Sequence, residues 1–140
     1  MKKNNKGFTL MEMLIVVAII AVLVAIAIPT FTSSLNKARV ATDEANIRSG
    51  YASTMLEILT SNEDVPTGTK FQLNSDGSVT KGETAGTYTT KGDATKIGTT
   101  IDVAGQNVAA WDAKATVTYT YTVGTDGKQD SVAISTTPGT

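Results

Sequence analysis

Between Met13 and Ile28 the chain carries no charged side chain, whereas its last eighty residues are rich in Thr, Gly, Asp and Lys. The two parts follow different patterns. From Phe8 to Pro29 the apolar stretch runs for 22 residues. As a helix rising about 1.5 Å per residue it is long enough to cross a hydrocarbon core of about 30 Å. A small-x-small cleavage site of the general secretory kind fits poorly at Ala25 to Ala27, so a membrane span is the better reading than an ordinary signal sequence. Lys2, Lys3 and Lys6 precede the span, a charge asymmetry that holds the leader in the cytoplasm and sends the rest of the chain outward.

Past Pro29 the pattern becomes amphipathic. Phe31, Leu35, Ala38, Ala41, Ala45, Ala52, Met55 and Leu59 recur at helical spacing, with Asn36, Lys37, Arg39, Asp43, Glu44, Arg48 and Glu57 between them. This predicts a helix with one face to bury, continuous with the apolar one from Phe8 to about Thr60 and on the order of 80 Å long. Half of such an element is more than a small domain can cover, so it requires a membrane or a bundle of like helices. Gly50 interrupts the pattern at a cost of about 1 kcal/mol relative to Ala. The run Ser61-Asn62-Glu63-Asp64-Val65-Pro66-Thr67-Gly68 then stops the helix.

Strand signals follow. Phe71 and Leu73 alternate with Gln72 and Asn74, and Ser75-Asp76-Gly77 turns toward Val79, which predicts a hairpin. Gly82 to Gly98 reads as an exposed loop or an edge strand, for example over Thr87 to Thr90. From Ala113 to Val123 the alternation is clear: Ala115, Val117, Tyr119, Tyr121 and Val123 share one face and Thr residues the other. Gly124-Thr125-Asp126-Gly127 then turns into Ser131 to Thr136. Trp111, Tyr119 and Tyr121 read as core residues packed on the helix. The Thr face reads as a solvated sheet face rather than a lateral contact or a glycan acceptor. The fold class is α+β: a long N-terminal α-helix packed on a small antiparallel β-sheet.

Composition narrows the chemistry. The 140 residues contain no His and no Cys, which removes the commonest general base, thiolate ligands and disulfides, and the formal charge of -1 leaves no basic stripe for nucleic acid. The absence of Cys also points to a bacterial source without a disulfide-forming periplasm. Asp76-Gly77, Asp93, Asp126-Gly127 and Asp130 lack the spacing of a calcium loop, and Asp-Gly is an ordinary turn pair. No phosphate-cradling loop or nucleophile elbow occurs. Neither an enzyme nor a cofactor is expected.

Two residues of the apolar segment exceed what an anchor needs. Glu12 places a carboxylate in a membrane helix at a cost of about 2.5–3.5 kcal/mol, unless it reaches interfacial water or meets a cation. Pro29 either ends or bends the helix.

The sequence Lys6-Gly7-Phe8-Thr9-Leu10-Met11-Glu12, followed by an apolar stretch reaching Pro29, resembles the class III signal of type IV prepilins and pseudopilins. The resemblance covers roughly the first 60 residues. It implies that a membrane prepilin peptidase cuts between Gly7 and Phe8 and N-methylates Phe8. It implies further that Glu12 meets the Phe8 amine of a neighbouring subunit as helices assemble, with Pro29 shaping their packing. Gly7, without a side chain, lets extended backbone lie close in a protease cleft. Loss of residues 1–7 removes three Lys and takes the formal charge to -4.

The resulting expectation divides the chain into a cleaved leader (1–7), a membrane and filament-core helix (8–29), an amphipathic helix (30–61) and a β-rich head (62–140). The protein is then a single-pass protein of the cytoplasmic membrane that polymerises with copies of itself into an extracellular pilus for adhesion, twitching or biofilm. The partners implied are the prepilin peptidase and the pilus assembly platform with its ATPase, and no nucleic acid. The alternative is a pseudopilin of type II secretion or competence DNA uptake, in which case the head must discriminate; major pseudopilins carry a C-terminal calcium site. Pilins often close the C-terminal region with a disulfide, and this chain departs from that.

Overall fold

The structure is a computed structural model describing residues 6–84 and 86–139, so Lys2 and Lys3 of the basic leader lie outside the described residues. The chain divides into two units, Met1–Leu35 and Asn36–Thr140. One helix, α1 (Leu10–Thr60), is followed by β1 (Lys70–Leu73), β2 (Val79–Lys81), a 3-10 turn (Ala94–Lys96), β3 (Thr100–Val103), β4 (Gln106–Ala109), β5 (Thr116–Thr122) and β6 (Ser131–Thr137). This is the expected α+β class.

In the first unit α1 is long and apolar enough to cross a membrane, and every side chain from Phe8 to Phe31 is exposed. The helix passes through Pro29, as the expected continuous helix to about Thr60 requires, so of the two readings of that residue the helix end does not hold. Pro29 has no N–H to offer the carbonyl of Ala25. Hydroxyls engage the carbonyls around it: Thr30 Oγ1 donates to Ile26 O at 3.1 Å and Thr32 Oγ1 to Ile28 O at 2.9 Å. Such back-bonding offers polar atoms a partner in an apolar stretch.

In the second unit the strands form a four-stranded antiparallel sheet in the order β2-β1-β5-β6, beside the two-stranded β3-β4 sheet. Phe71, Leu73, Val117, Tyr119, Tyr121 and Val132 close with Val40 and Ile47 of α1 into one core. Trp111 joins it, 2% exposed. Turn chemistry sets the registers. Asp126 and Gly127 both have positive φ in a turn inside the eight-residue connection from β5 to β6, where Lys128 N donates to Thr125 O at 3.1 Å. Asp76 Oδ1 accepts from Ser78 N and Ser78 Oγ at 3.0 and 2.6 Å, holding the β1–β2 turn.

The buried face of α1 differs from the one the apolar spacing suggests. Val40, Asp43, Ile47, Gly50 and Thr54, spaced three and four apart, face the sheet, while Phe31, Leu35, Ala38, Ala41, Ala45, Ala52 and Leu59 are exposed. Only Met55 of the expected stripe is half-buried against the core. The reason is that the polar or small members of the true stripe each have a specific fit. Asp43 binds backbone donors, Thr54 Oγ1 donates to Gly50 O at 2.9 Å, and Gly50 admits Tyr119.

Gly50 is therefore a close-approach residue. A Cβ there would stand 2.3 Å from Tyr119 Oη and 2.6 Å from Leu73 Cδ1. Tyr119 cannot yield easily, because it is fully buried and its hydroxyl donates to Ile47 O at 2.7 Å. Gly50→Ala gains about 1 kcal/mol of helix propensity. We expect it nonetheless to lower stability by about 1–3 kcal/mol through overpacking, measured by denaturant unfolding of the purified protein.

Three further expectations are corrected. Residues 87–90 form no strand, and the segment 82–98 is no exposed loop, because Tyr88, Thr90, Gly92 and Ala94 within it are buried. The strand expected from Ala113 starts at Thr116, since Lys114 sits at φ +70, outside extended geometry, and Val123 is 38% exposed rather than core. The β3–β4 hairpin was not foreseen. Its Gln106 side chain donates to Val132 O and accepts from Ile134 N, tying it to the free edge of β6.

Candidate functional site

Residues 6–9 precede the helix and are non-helical. Gly7 has open space where a Cβ would stand, and Phe8 is 81% exposed. Phe8 N belongs to a peptide bond here and carries no charge. The bond between Gly7 and Phe8 lies just ahead of the first helical residue, Leu10.

The helix starts where it does for a chemical reason. Glu12 N donates to Thr9 Oγ1 at 3.2 Å, and Thr9 N donates to Glu12 Oε2 at 2.7 Å, a reciprocal capping box that satisfies two backbone donors otherwise left open. The carboxylate also complements the positive end of the helix dipole. The structure thus brings Glu12 to Thr9, and among the described residues no hydrogen bond joins Glu12 to Phe8. Pro29 lies seventeen residues farther on, about 25 Å along the helix, and belongs to a different part of the segment. Thr9 is not among the residues singled out from the sequence, yet it is the partner of Glu12. Its signal was present, because Thr-x-x-Glu before an apolar run is the sequence form of a capping box.

A second polar constellation lies in the head. Asp43 is fully buried, and its carboxylate accepts from Tyr88 Oη at 2.6 Å, from Lys91 N at 2.9 Å and from Gly92 N at 2.7 Å. A buried carboxylate is tolerated only with donors of this kind. Burial, with Asp43 beside it, pushes the Tyr88 hydroxyl well above the ordinary tyrosine range. Asn36 adds a second clasp: its Nδ2 donates to Asp93 O and its Oδ1 accepts from Asp93 N, each at 2.9 Å. A Cβ on Gly92 would meet Val40 N at 2.5 Å, so the strap must be glycine to reach the helix. These contacts pin the segment between β2 and β3 onto α1 and carry no reactive group.

Among the described residues no group of three His, Cys, Asp or Glu side chains is placed to hold a metal. What the described residues display is a long apolar helix, capped by Thr9 and Glu12, bearing a small sheet-based head. That is the α+β architecture of a long N-terminal helix on a small antiparallel sheet. Residues 2–28 match the prokaryotic N-terminal methylation motif. Over 82 residues, 56% of this chain and 67% of its relative, the chain is 40% identical to the type IV narrow pilus major component PilA5 of Thermus thermophilus. The chain belongs to the type IV pilin family, a family of structural subunits. No solved structure matches it.

Proposed function

We propose that this chain is the major subunit of a type IV pilus. It is held in the cytoplasmic membrane by its apolar helix, cut between Gly7 and Phe8 by a prepilin peptidase, N-methylated at Phe8 and polymerised through its N-terminal helices into a surface fibre. The pilus platform and its ATPase drive assembly, and adhesion, twitching or biofilm follow from the fibre. The observation that carries this reading is the methylation motif at 2–28 joined to an apolar helix in a chain 40% identical to a major pilus component.

The local geometry supports the cleavage step. The Gly7–Phe8 bond lies in non-helical chain with space around it, as a protease cleft needs. Cleavage leaves an ammonium on Phe8. In a bundle of apolar helices that charge is strongly unfavourable alone, and Glu12 of a neighbouring subunit supplies its counterpart. The same demand rejects helices docked out of register.

Replacing Gly7 by Val tests the processing step. The expected result is precursor accumulating in the membrane, seven residues heavier than mature protein by mass spectrometry. Ordinary cleavage of Gly7→Val would contradict the peptidase assignment.

A further inference from the structure

An open groove of about 870 Å³ in the head brings together Arg39 of α1, Lys91 ahead of the 3-10 turn and Lys114 ahead of β5. Among the described residues no carboxylate lines it. All three cations are exposed and, among the described residues, none is in an ion pair. Asp43, which binds the backbone of Lys91, is buried with its oxygens already occupied. The walls between the cations include Ala113 and the aliphatic stems of the lysines, so the groove is charged and apolar at once.

The opposite end of the same unit has the complementary chemistry. Glu57, Glu63 and Asp64, at and just beyond the last turn of α1, are exposed and outside any ion pair among the described residues. The last turn contains no basic residue, so the negative end of the helix dipole adds to them. Leu56 and Leu59 stand among these acids, 63% and 77% exposed. Arg39 and Glu57 are eighteen residues apart on one helix, about 27 Å.

The geometry points to a second copy of this chain as the occupant of the groove, its helix end seating Leu56 and Leu59 between the apolar walls while Glu57, Glu63 and Asp64 face Arg39, Lys91 and Lys114. Like ends repel and unlike ends attract, so the contact is head-to-tail. A head-to-tail contact uses different surfaces on the two partners and propagates as an open polymer rather than closing as a dimer. The inference rests on the reading of the chain as a filament subunit and assigns the surface by which its heads register.

The chain has no cysteine, so Lys91→Cys with Glu63→Cys introduces the only two thiols. Fibres of this double variant, sheared from cells and treated with a short bis-maleimide, should give a ladder of dimers, trimers and higher species on a denaturing gel. Fibres with either cysteine alone should stay monomeric. Intact fibres that yield only monomer from the double variant, or dimers from a single one, would overturn the head-to-tail contact. Wild-type cells without fibres would instead overturn the filament reading.

A charge exchange gives an independent readout. Arg39→Glu, Lys91→Glu and Lys114→Glu together, or Glu57→Lys, Glu63→Lys and Asp64→Lys together, should each lower fibre yield by about tenfold or more through like-charge contact. Co-expression of the two triple variants should restore fibres containing both chains. Processed, stable variants that fail to co-assemble would count against the contact.

Discussion

Replacing Asp43 by Ala is expected to be the most destabilising single change in the head, costing about 3–5 kcal/mol. The substitution leaves the buried Gly92 N, Lys91 N and Tyr88 Oη without their acceptor, each an open donor worth about 1–3 kcal/mol. It also loosens the 88–93 strap on α1, where Gly92 packs against Val40. Asn36 and Asn46 still reach Asp93 and Tyr88 Oη, but neither serves the Lys91 and Gly92 N–H groups. Urea unfolding of the purified full-length protein, followed by near-ultraviolet signal from buried Trp111 and Tyr119, measures the loss. A change below about 1 kcal/mol would mean that solvent replaces the carboxylate and that the strap is not held by it. Asp43→Asn should fall between, since an amide keeps one acceptor but turns two donors toward the N–H groups that the carboxylate served.

Glu12→Gln is expected to abolish fibres while leaving processing intact. The amide oxygen still accepts from Thr9 N, so the helix starts at the same place and the Gly7–Phe8 bond stays ahead of it. What is lost is the negative charge that, under the proposed assembly, pairs with the ammonium cleavage would leave on Phe8. An unpaired charge buried among apolar helices costs about 3–5 kcal/mol, enough to lower assembly by more than a hundredfold. Mass spectrometry of membranes should find mature protein starting at Phe8, and electron microscopy should find no fibres. Wild-type fibre yield would assign Glu12 to capping alone. Thr9→Ser serves as the companion control, because it keeps the hydroxyl of the box and should retain both cleavage and fibres.

Much of the architecture was legible in residue order because local and global preferences agree there. The apolar run, the stop at 61–68 and the alternation through β5 have strong periods, and Asp76-Gly77 and Asp126-Gly127 name their own turns. The buried side of α1 was not legible, since Asp43, Gly50 and Thr54 do not look like core residues. They are buried because of partners distant in sequence: Lys91, Gly92 and Tyr119. Ala38, Ala41, Ala45 and Ala52 misled because a single methyl is compatible with either face. The β3–β4 hairpin was missed for a related reason. Its turn places Ala104 at φ +54 before Gly105, and Ala gives none of the signal that Asn or Asp would. At the N-terminus Gly7, Phe8 and Glu12 stand out in the sequence as a unit, whereas the hydroxyl of Thr9 that Glu12 engages emerges only in the structure.

The central claim is that the chain is cut at Gly7 and built into a surface fibre. Its most direct test is the intact mass and N-terminal sequence of protein sheared from the cell surface, with electron microscopy of the same fraction. The account predicts abundant long fibres made of a chain that begins at N-methylated Phe8. A chain beginning at Met1, or a processed chain confined to membranes with no surface fibres, would contradict it.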